Sequence, residues 1–593
     1  MPSTLGVRGS ATERTDNYGL GTMVLTAVKA ERTRLIDRRT PRDWWNLAAI
    51  ALVVVVFAAV AWHRRWICDD GLIVLRTVRN ILEGNGPVYN VGERVESNTS
   101  VLWTYVLVVA GLIPGVRLEW ASVVLGGLFA AGGVLLGLQG ARLLHPSRLI
   151  VPAGALVVLG MSPYWDYATS GLESGLCVLW LAGTWWLLVR HATGAMTAVW
   201  PTLVVIGVGT LVRPEYALVS AIAFAALVAI RRPGWRAGLL WVAITGALPV
   251  AYQIFRMGYY GLLTPNTALA KEGGKARWEM GGYYLDDFVS SYQLWIPLLL
   301  LVVVAALVFR RMPRPTVIAV GAIAVSGLAL ALYVTRVGGD YMHARMLLPA
   351  LFCLLLPLMV VPLTKWLAVP VLGLAVWAGV AAASLRSDTV FTHKIGAHSI
   401  TDARVFWLDT THKANPVVAE DAEDVPGYLQ DIAAARAGKT GPVLVIKIGA
   451  NWVALPAKST VVTSPGALGF PGLLLPSDLK VTDDLGLANP LASHTVSIPG
   501  YPMGHDKLLT PPWSIADVCV GTPEELSALT GGAIPAHEIA AARVALQRPE
   551  IRQMLDSVRE PMTAGRFLSN IANSFENTSL RYGRDPVAVS EGR

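Results

Sequence analysis

The sequence predicts a polytopic α-helical membrane protein that ends in a mixed α/β domain outside the membrane. Three observations carry that reading. Hydrophobic residues make up 53% of the 593 positions and charged residues only 15%, against about 25% charged in soluble domains; mean hydropathy is +0.50. The shortage of charge is local, because 46–385 is mostly long apolar runs while 386–593 reads as an ordinary globular domain. Alternate short connections between the apolar runs carry Arg and no acidic residue, the pattern that orients membrane proteins. The net charge of +8 thus reflects orientation in a bilayer and not a nucleic-acid partner.

Taken in order, residues 1–44 form a basic tail with Lys29, Arg32, Arg34, Arg38, Arg39 and Arg42, expected in the cytoplasm. No small-residue cleavage site follows the first apolar run, so no cleavable signal is read. The membrane domain, 45–385, holds eleven candidate spans: 45–62, 121–141, 149–161, 172–190, 197–211, 215–230, 238–256, 294–309, 316–335, 345–362 and 366–385. A further run, 101–114, is short and ends in Pro, and the basic residues decide against counting it. With that choice the Arg-bearing connections 141–148, 190–194, 231–236 and 310–315 are all cytoplasmic, and the 386–593 domain lies outside. Arg64 and Arg65 run against this orientation. The four cysteines, Cys68, Cys177, Cys353 and Cys519, show neither CxxC nor zinc spacing. A Cys68–Cys519 bridge is conceivable only if both face an oxidising compartment.

The same orientation gathers the acidic connections on the outer face. "RRWICDDGLIVLRTVRNILEGNG" (64–86) sets Asp69 and Asp70 at the end of the first span, where charge is costly and marks function. The structural alternative is a helix start whose carboxylates complement the dipole. In the helix that follows, Val74, Leu75, Val78, Ile81 and Leu82 share one face, with Arg76, Arg79 and Glu83 opposite as a solvated side. Glu173, a few residues after Asp166, starts another span, as does "RPE" with Arg213 and Glu215, which would pair with each other or join the site. "GGDYMHARMLLP" brings Asp340, His343 and Arg345 together, Arg345 with a fork suited to phosphate oxygens. Lys271, after Thr264-Pro265-Asn266, adds a cation on this face. Polar groups at one face suit a reaction site there; a transporter places them near midplane.

These stretches, with "TSGLES", "LVRPEYAL" and "TPNTALAK", resemble the GT-C glycosyltransferases, which use polyprenyl-phosphate sugars at the outer membrane face. Within them the likeness is to the terminal arabinofuranosyltransferase family of mycobacteria and their relatives, over nearly all of the chain after residue 40. The resemblance implies a GT-C fold of about eleven spans in a bacterial plasma membrane, with an extracytoplasmic site. It implies decaprenyl-phosphoryl-β-D-arabinofuranose as donor and the arabinan ends of arabinogalactan and lipoarabinomannan as acceptor. The product is then a terminal β-(1→2) linkage formed with net retention. It places the catalytic acids on Asp69 and Asp70. The donor phosphate would meet Arg345, His343 and Lys271, with Arg213, Asp340, Glu173 and Glu215 around it. No cofactor is required by this reading, and a divalent cation (Mg, Mn or Ca) remains an alternative clamp. Other readings are a polyprenyl-phosphate-mannose-dependent mannosyltransferase and a lipid-linked-sugar flippase.

The C-terminal domain mixes strand-like runs (441–449 and 460–464) with helices, including a capping box at Thr522-Pro523-Glu524-Glu525 and a mostly helical 536–575. Trp407, Trp452, Phe470, Tyr501 and Trp513 are candidate sugar platforms, although aromatic residues more often build cores.

Overall fold

The computed structural model describes residues 40–385, 397–423, 425, 429–464, 467–501 and 503–592. Most of the basic tail (to residue 39) and the expected domain boundary at 386 lie outside the described residues.

Seven helices among the described residues are long and apolar enough to span a membrane: Pro41–His63, Leu118–Leu143, Ser174–Ala192, Pro214–Arg231, Trp235–Tyr260, Arg314–Val337 and Lys365–Ala383. An eighth candidate is the pair Trp278–Ser291 and Trp295–Val308, bent by 80°. The outward faces are apolar, as at Leu239, Val250, Leu299 and Val369, each at least half exposed. That surface suits hydrocarbon and not water.

The expected spans 149–161, 197–211 and 345–362 are not single long helices. The first consists of strand Ile150–Pro152 and the helices Gly154–Gly160 and Ser162–Ala168. The last consists of helix Leu348–Leu355, a 3-10 turn and strand Val360–Pro362. Residues 197–211 become Trp200–Gly207 and Gly209–Val212. Prolines at 152, 163, 349, 357 and 362 remove amide donors and stop continuous helix. The two short strands satisfy their backbone by pairing antiparallel with each other, Val151 opposite Val361. Residues 150–168 still run the length of Pro41–His63. Asn46 donates to the Arg148 carbonyl (2.9 Å) near that helix's start, and Arg64 grips Asp166 in a two-pronged pair (2.6 and 2.9 Å) beyond its end. This buried pair accounts for Arg64. The 101–114 run is a helix of only Val101–Gly111.

In the C-terminal domain a four-stranded sheet has the order Asn451–Pro456, Val443–Ile448, Val461–Thr463, Lys480–Thr482, antiparallel at the first pair and parallel at the others. Thr522 caps Pro523–Leu529 with the expected reciprocal bonds to Glu525. The last long helix, Ala564–Ser579, docks on the C-terminal end of Trp235–Tyr260: Asn570 donates to the Gly258 carbonyl (2.9 Å) and Asn577 to that of Gly261 (3.1 Å).

The Asp69–Leu82 helix corrects its expected solvated side. Arg76 is fully buried and donates to the carbonyls of Tyr89 (2.9 Å) and Leu479 (2.6 Å); Arg79 donates to those of Leu473 (2.9 Å) and Leu475 (3.0 Å). Carbonyls of Tyr89 and of the C-terminal domain therefore replace water on that face, and only Glu83 stays exposed. All four cysteines are free and buried, so the Cys68–Cys519 bridge does not form.

Candidate active site

Asp69 and Asp70 open the Asp69–Leu82 helix, a first-turn position that favours carboxylates. Gly71 lets this helix start close against the chain at 170–171: a Cβ there would lie 3.1 Å from the Gly171 carbonyl carbon. Adjacent helical residues point about 100° apart, and the two carboxylates take different surroundings. Asp69 turns into the C-terminal domain, where one oxygen accepts from the amides of Leu468 and Gly469 (both 3.0 Å) and the other from Phe470 (2.8 Å). Burial pushes its carboxyl up to about 6, against the pull of these three donors toward the ionised form. Asp70 keeps 22% of its side chain open, with Arg345 at 3.5 Å and the Tyr341 hydroxyl at 3.4 Å.

Arg345 is positioned by the turn after Arg314–Val337. Gly338 and Gly339 adopt φ of 100° and 77°, and a Cβ on Gly339 would lie 2.3 Å from the Tyr284 ring, so only glycine lets the loop pass there. Tyr284 in turn donates to the Met342 carbonyl (2.8 Å). Arg345 faces three carboxylates, Asp340 (3.4 Å), Asp70 (3.5 Å) and Glu173 (3.7 Å), all beyond the length of a strong charged hydrogen bond. Arg213 makes close pairs with both Glu173 and Glu215. One network thus joins four carboxylates to two guanidinium groups. Among the described residues no three His, Cys, Asp or Glu side chains converge to hold a metal ion.

Six of the expected site residues therefore come together: Asp70, Asp340, Glu173, Arg345, Arg213 and Glu215. Arg213 and Glu215 do so by pairing. His343 does not join them. Its Nδ1 bonds Asp287 (2.5 Å) and its Nε2 the Tyr292 hydroxyl (3.1 Å), so both nitrogens are spoken for inside the protein. The expectation that it meets donor phosphate is corrected on that ground.

Two hollows meet at this network. A cavity of about 270 Å³ is lined by Asp70, Lys271, Tyr341, Trp407, Asp483 and His505, among others. It is close to the lower end of small-molecule pockets. Lys271 lies along Gly504 and has no ion-pair partner among the described residues. An apolar cleft on the membrane side is lined by Phe57, Val134, Cys177, Leu330 and Phe352, and carries Arg345, Arg213, Glu173 and Glu215. Arg345 stands on the cleft and faces Asp70 in the cavity. Of the aromatic candidates Trp407 lines the cavity, whereas Phe470 and Trp513 are core residues and Tyr501 is 47% exposed elsewhere.

Sequence reasoning missed Tyr341, Asp483 and His505. The run "GYPMGHDK" (500–507) carries a signal like that of "GGDYMHARM", with glycines beside His, Asp and Lys.

The chain was compared with known proteins. Residues 451–591 match the family described as the AftB family C-terminal domain. The chain is 38% identical to the terminal β-(1→2)-arabinofuranosyltransferase of Mycobacterium tuberculosis, covering 92% of this chain and 96% of the relative. It is 37% identical to the protein of the same name from Corynebacterium glutamicum, covering 88% of this chain and 84% of the relative. No solved structure matches the chain.

Proposed function

Since this chain belongs to the terminal β-(1→2)-arabinofuranosyltransferase family, we propose that it adds arabinofuranose to the ends of cell-wall arabinan, with Asp70 as the catalytic carboxylate. It is a glycosyltransferase embedded in a membrane. The observation that carries the site assignment is the position of Asp70: an accessible carboxylate on a sugar-sized cavity, facing an arginine that borders an apolar cleft.

The donor in this reading is decaprenyl-phosphoryl-β-D-arabinofuranose. Its chain lies in the apolar cleft, its phosphate meets Arg345, and its sugar enters the cavity. Arg345 suits phosphate because its three contacts are long and exchangeable, whereas Arg213 is tightly held by two glutamates. Lys271 supplies a second cation with no carboxylate paired to it among the described residues. Both stabilise the charge of the departing phosphate, which grows in the transition state. A β donor giving a β product requires two inversions. Asp70 attacks the anomeric carbon as the C–O bond to phosphate breaks, and the acceptor hydroxyl then displaces Asp70. Asp340 and Glu173 orient Arg345. Asp69 anchors the C-terminal domain.

The membrane domain, 45–385, crosses the plasma membrane eleven times in this reading, with 386–593 and the site outside. Support comes from residues 150–168, which accompany the first helix from Asn46 to Arg64, and from 345–362, which return from Arg345 to the strand pair. Likewise Trp200–Val212 lies between Thr197, whose carbonyl accepts from Arg231 (2.9 Å), and Arg213 beside Glu173.

The test incubates purified protein with labelled decaprenyl-phosphoryl-arabinofuranose and a synthetic arabinan. The wild type forms a β-(1→2) product and Asp70→Asn, equally well folded, does not. Transfer from polyprenyl-phosphate mannose instead overturns the sugar assignment, and full activity in Asp70→Asn overturns the site.

A further inference from the structure

The two-step reading leaves one chemical task without a residue. When the acceptor hydroxyl attacks the anomeric carbon, its proton must go to a base, and Asp70 is then the leaving group. Retaining transfer divides these tasks between two groups. The first place to look is the neighbouring carboxylate, but both oxygens of Asp69 are engaged by the amides of Leu468, Gly469 and Phe470. Asp483, also on the cavity, is similarly spent on the amides of Leu487 (2.6 Å) and Ala488 (3.0 Å). The Tyr341 hydroxyl lies against Asp70, and Lys271 as an ammonium has no lone pair to offer.

His505 remains. It enters the cavity from the C-terminal domain and packs edge-on against Tyr341, ring centroids 4.7 Å apart, the same tyrosine whose hydroxyl reaches Asp70. Its Nδ1 is closed off from solvent without a well-formed hydrogen bond among the described residues, although the Met503 carbonyl pulls toward the protonated ring. An imidazolium needs both N–H groups satisfied, so this setting favours the neutral ring that a base requires. We propose that His505 is the general base of the second step, which takes the proton from the acceptor hydroxyl at its cavity-facing nitrogen. The acceptor oxygen then bonds to the anomeric carbon, the bond to Asp70 breaks with its electron pair returning to the carboxylate, and His505 passes the proton to water. The assignment rests on the arabinofuranosyl-transfer reading above.

Burial holds the His505 imidazole below its ordinary value, and Lys271 acts in the same direction, while Asp70, Asp340 and the Met503 carbonyl oppose them. From the other elements around it, Asp69 and Asp483 are tied to amides, and Arg345 is paired. On its own segment Asp506 binds Arg277 (2.7 Å) and Lys507 binds Glu272 (2.9 Å). The rate of the second step therefore rises with pH through a limb below about 6.5, the ordinary histidine value.

The experiment separates the two steps in the full-length protein. Release of decaprenyl phosphate without acceptor reports the first, and transfer to synthetic arabinan the second, each followed from pH 4.5 to 8. In His505→Gln the first step keeps its rate, transfer falls by about 10²–10⁴-fold, and the pH limb of transfer disappears. Imidazole added to His505→Ala restores part of the transfer. Wild-type transfer with an unchanged pH limb in His505→Gln overturns the inference, as does equal loss of both steps in a folded variant that imidazole does not rescue. If the wild type releases no decaprenyl phosphate at all, the underlying donor reading has failed, an outcome distinct from failure of the histidine assignment.

Discussion

Replacing Asp69 by Asn separates anchoring from chemistry. The carboxylate holds three buried amides with its two oxygens, Leu468 and Gly469 on one and Phe470 on the other. Asn has a single acceptor oxygen. Its best placement faces Leu468 and Gly469, which turns its NH₂ toward the Phe470 amide, donor against donor. One charge-assisted bond is lost, worth about 1.5–3 kcal/mol, and the other two become ordinary ones at roughly 1 kcal/mol less each. Asn escapes the burial cost that pushes the Asp69 carboxyl up to about 6, which offsets part of this. The expected net loss is about 2–4 kcal/mol, so the 468–475 segment opens roughly 30- to 1,000-fold more often. Amide hydrogen exchange on the detergent-solubilised full chain measures it, with faster exchange confined to residues contacting the Asp69–Leu82 helix and transfer reduced but measurable. Asp70→Asn, by contrast, keeps wild-type protection and has no transfer. Wild-type protection with no transfer in Asp69→Asn would refute the anchoring account and return Asp69 to the chemistry.

Three further outcomes are expected. Arg345→Ala weakens donor binding by ten-fold or more while Arg345→Lys restores only part, since an ammonium cannot replace a planar fork; unchanged donor affinity in folded Arg345→Ala removes it from the site. Lys507→Met breaks a pair with no exposed lysine surface and costs about 3 kcal/mol, the lower end for buried pairs, because Lys275 at 3.3 Å still faces Glu272; an unshifted melting temperature contradicts this. Reporter fusions at 313 and 400 give opposite compartments, cytoplasmic and external; matching compartments mean a crossing between them has been miscounted.

What the sequence made legible was local. Asp70, Asp340 and Arg345 stand out because charge beside hydrocarbon needs a reason, and Glu173, Arg213 and Glu215 because they flank span starts. The capping box at Thr522 is written in four consecutive residues. What stayed hidden depends on distant partners. Nothing near His343 in the chain announces Asp287 or Tyr292, so a ring suited to phosphate was in fact already satisfied. Arg76 and Arg79 look solvated until carbonyls from 472–479 cover them. Asp69 resembled its neighbour until three amides about 400 residues downstream claimed it. The apolar runs at 149–161 and 345–362 were visible, but not that prolines break both and that their ends pair as strands.

The cavity that holds Asp70 has walls drawn from residue 69 to residue 505. Synthesis runs in one direction, so the first wall is in place while the last remains unmade. Until the segment bearing Leu468 and His505 has been made and has folded onto the Asp69–Leu82 helix, Asp69 lacks its amides, Arg76 its Leu479 carbonyl, and the hollow has no roof. A half-made chain thus carries every charged group of the membrane face and no enclosed place for a sugar. Activity arrives late and all at once, with completion of the C-terminal domain as its licence.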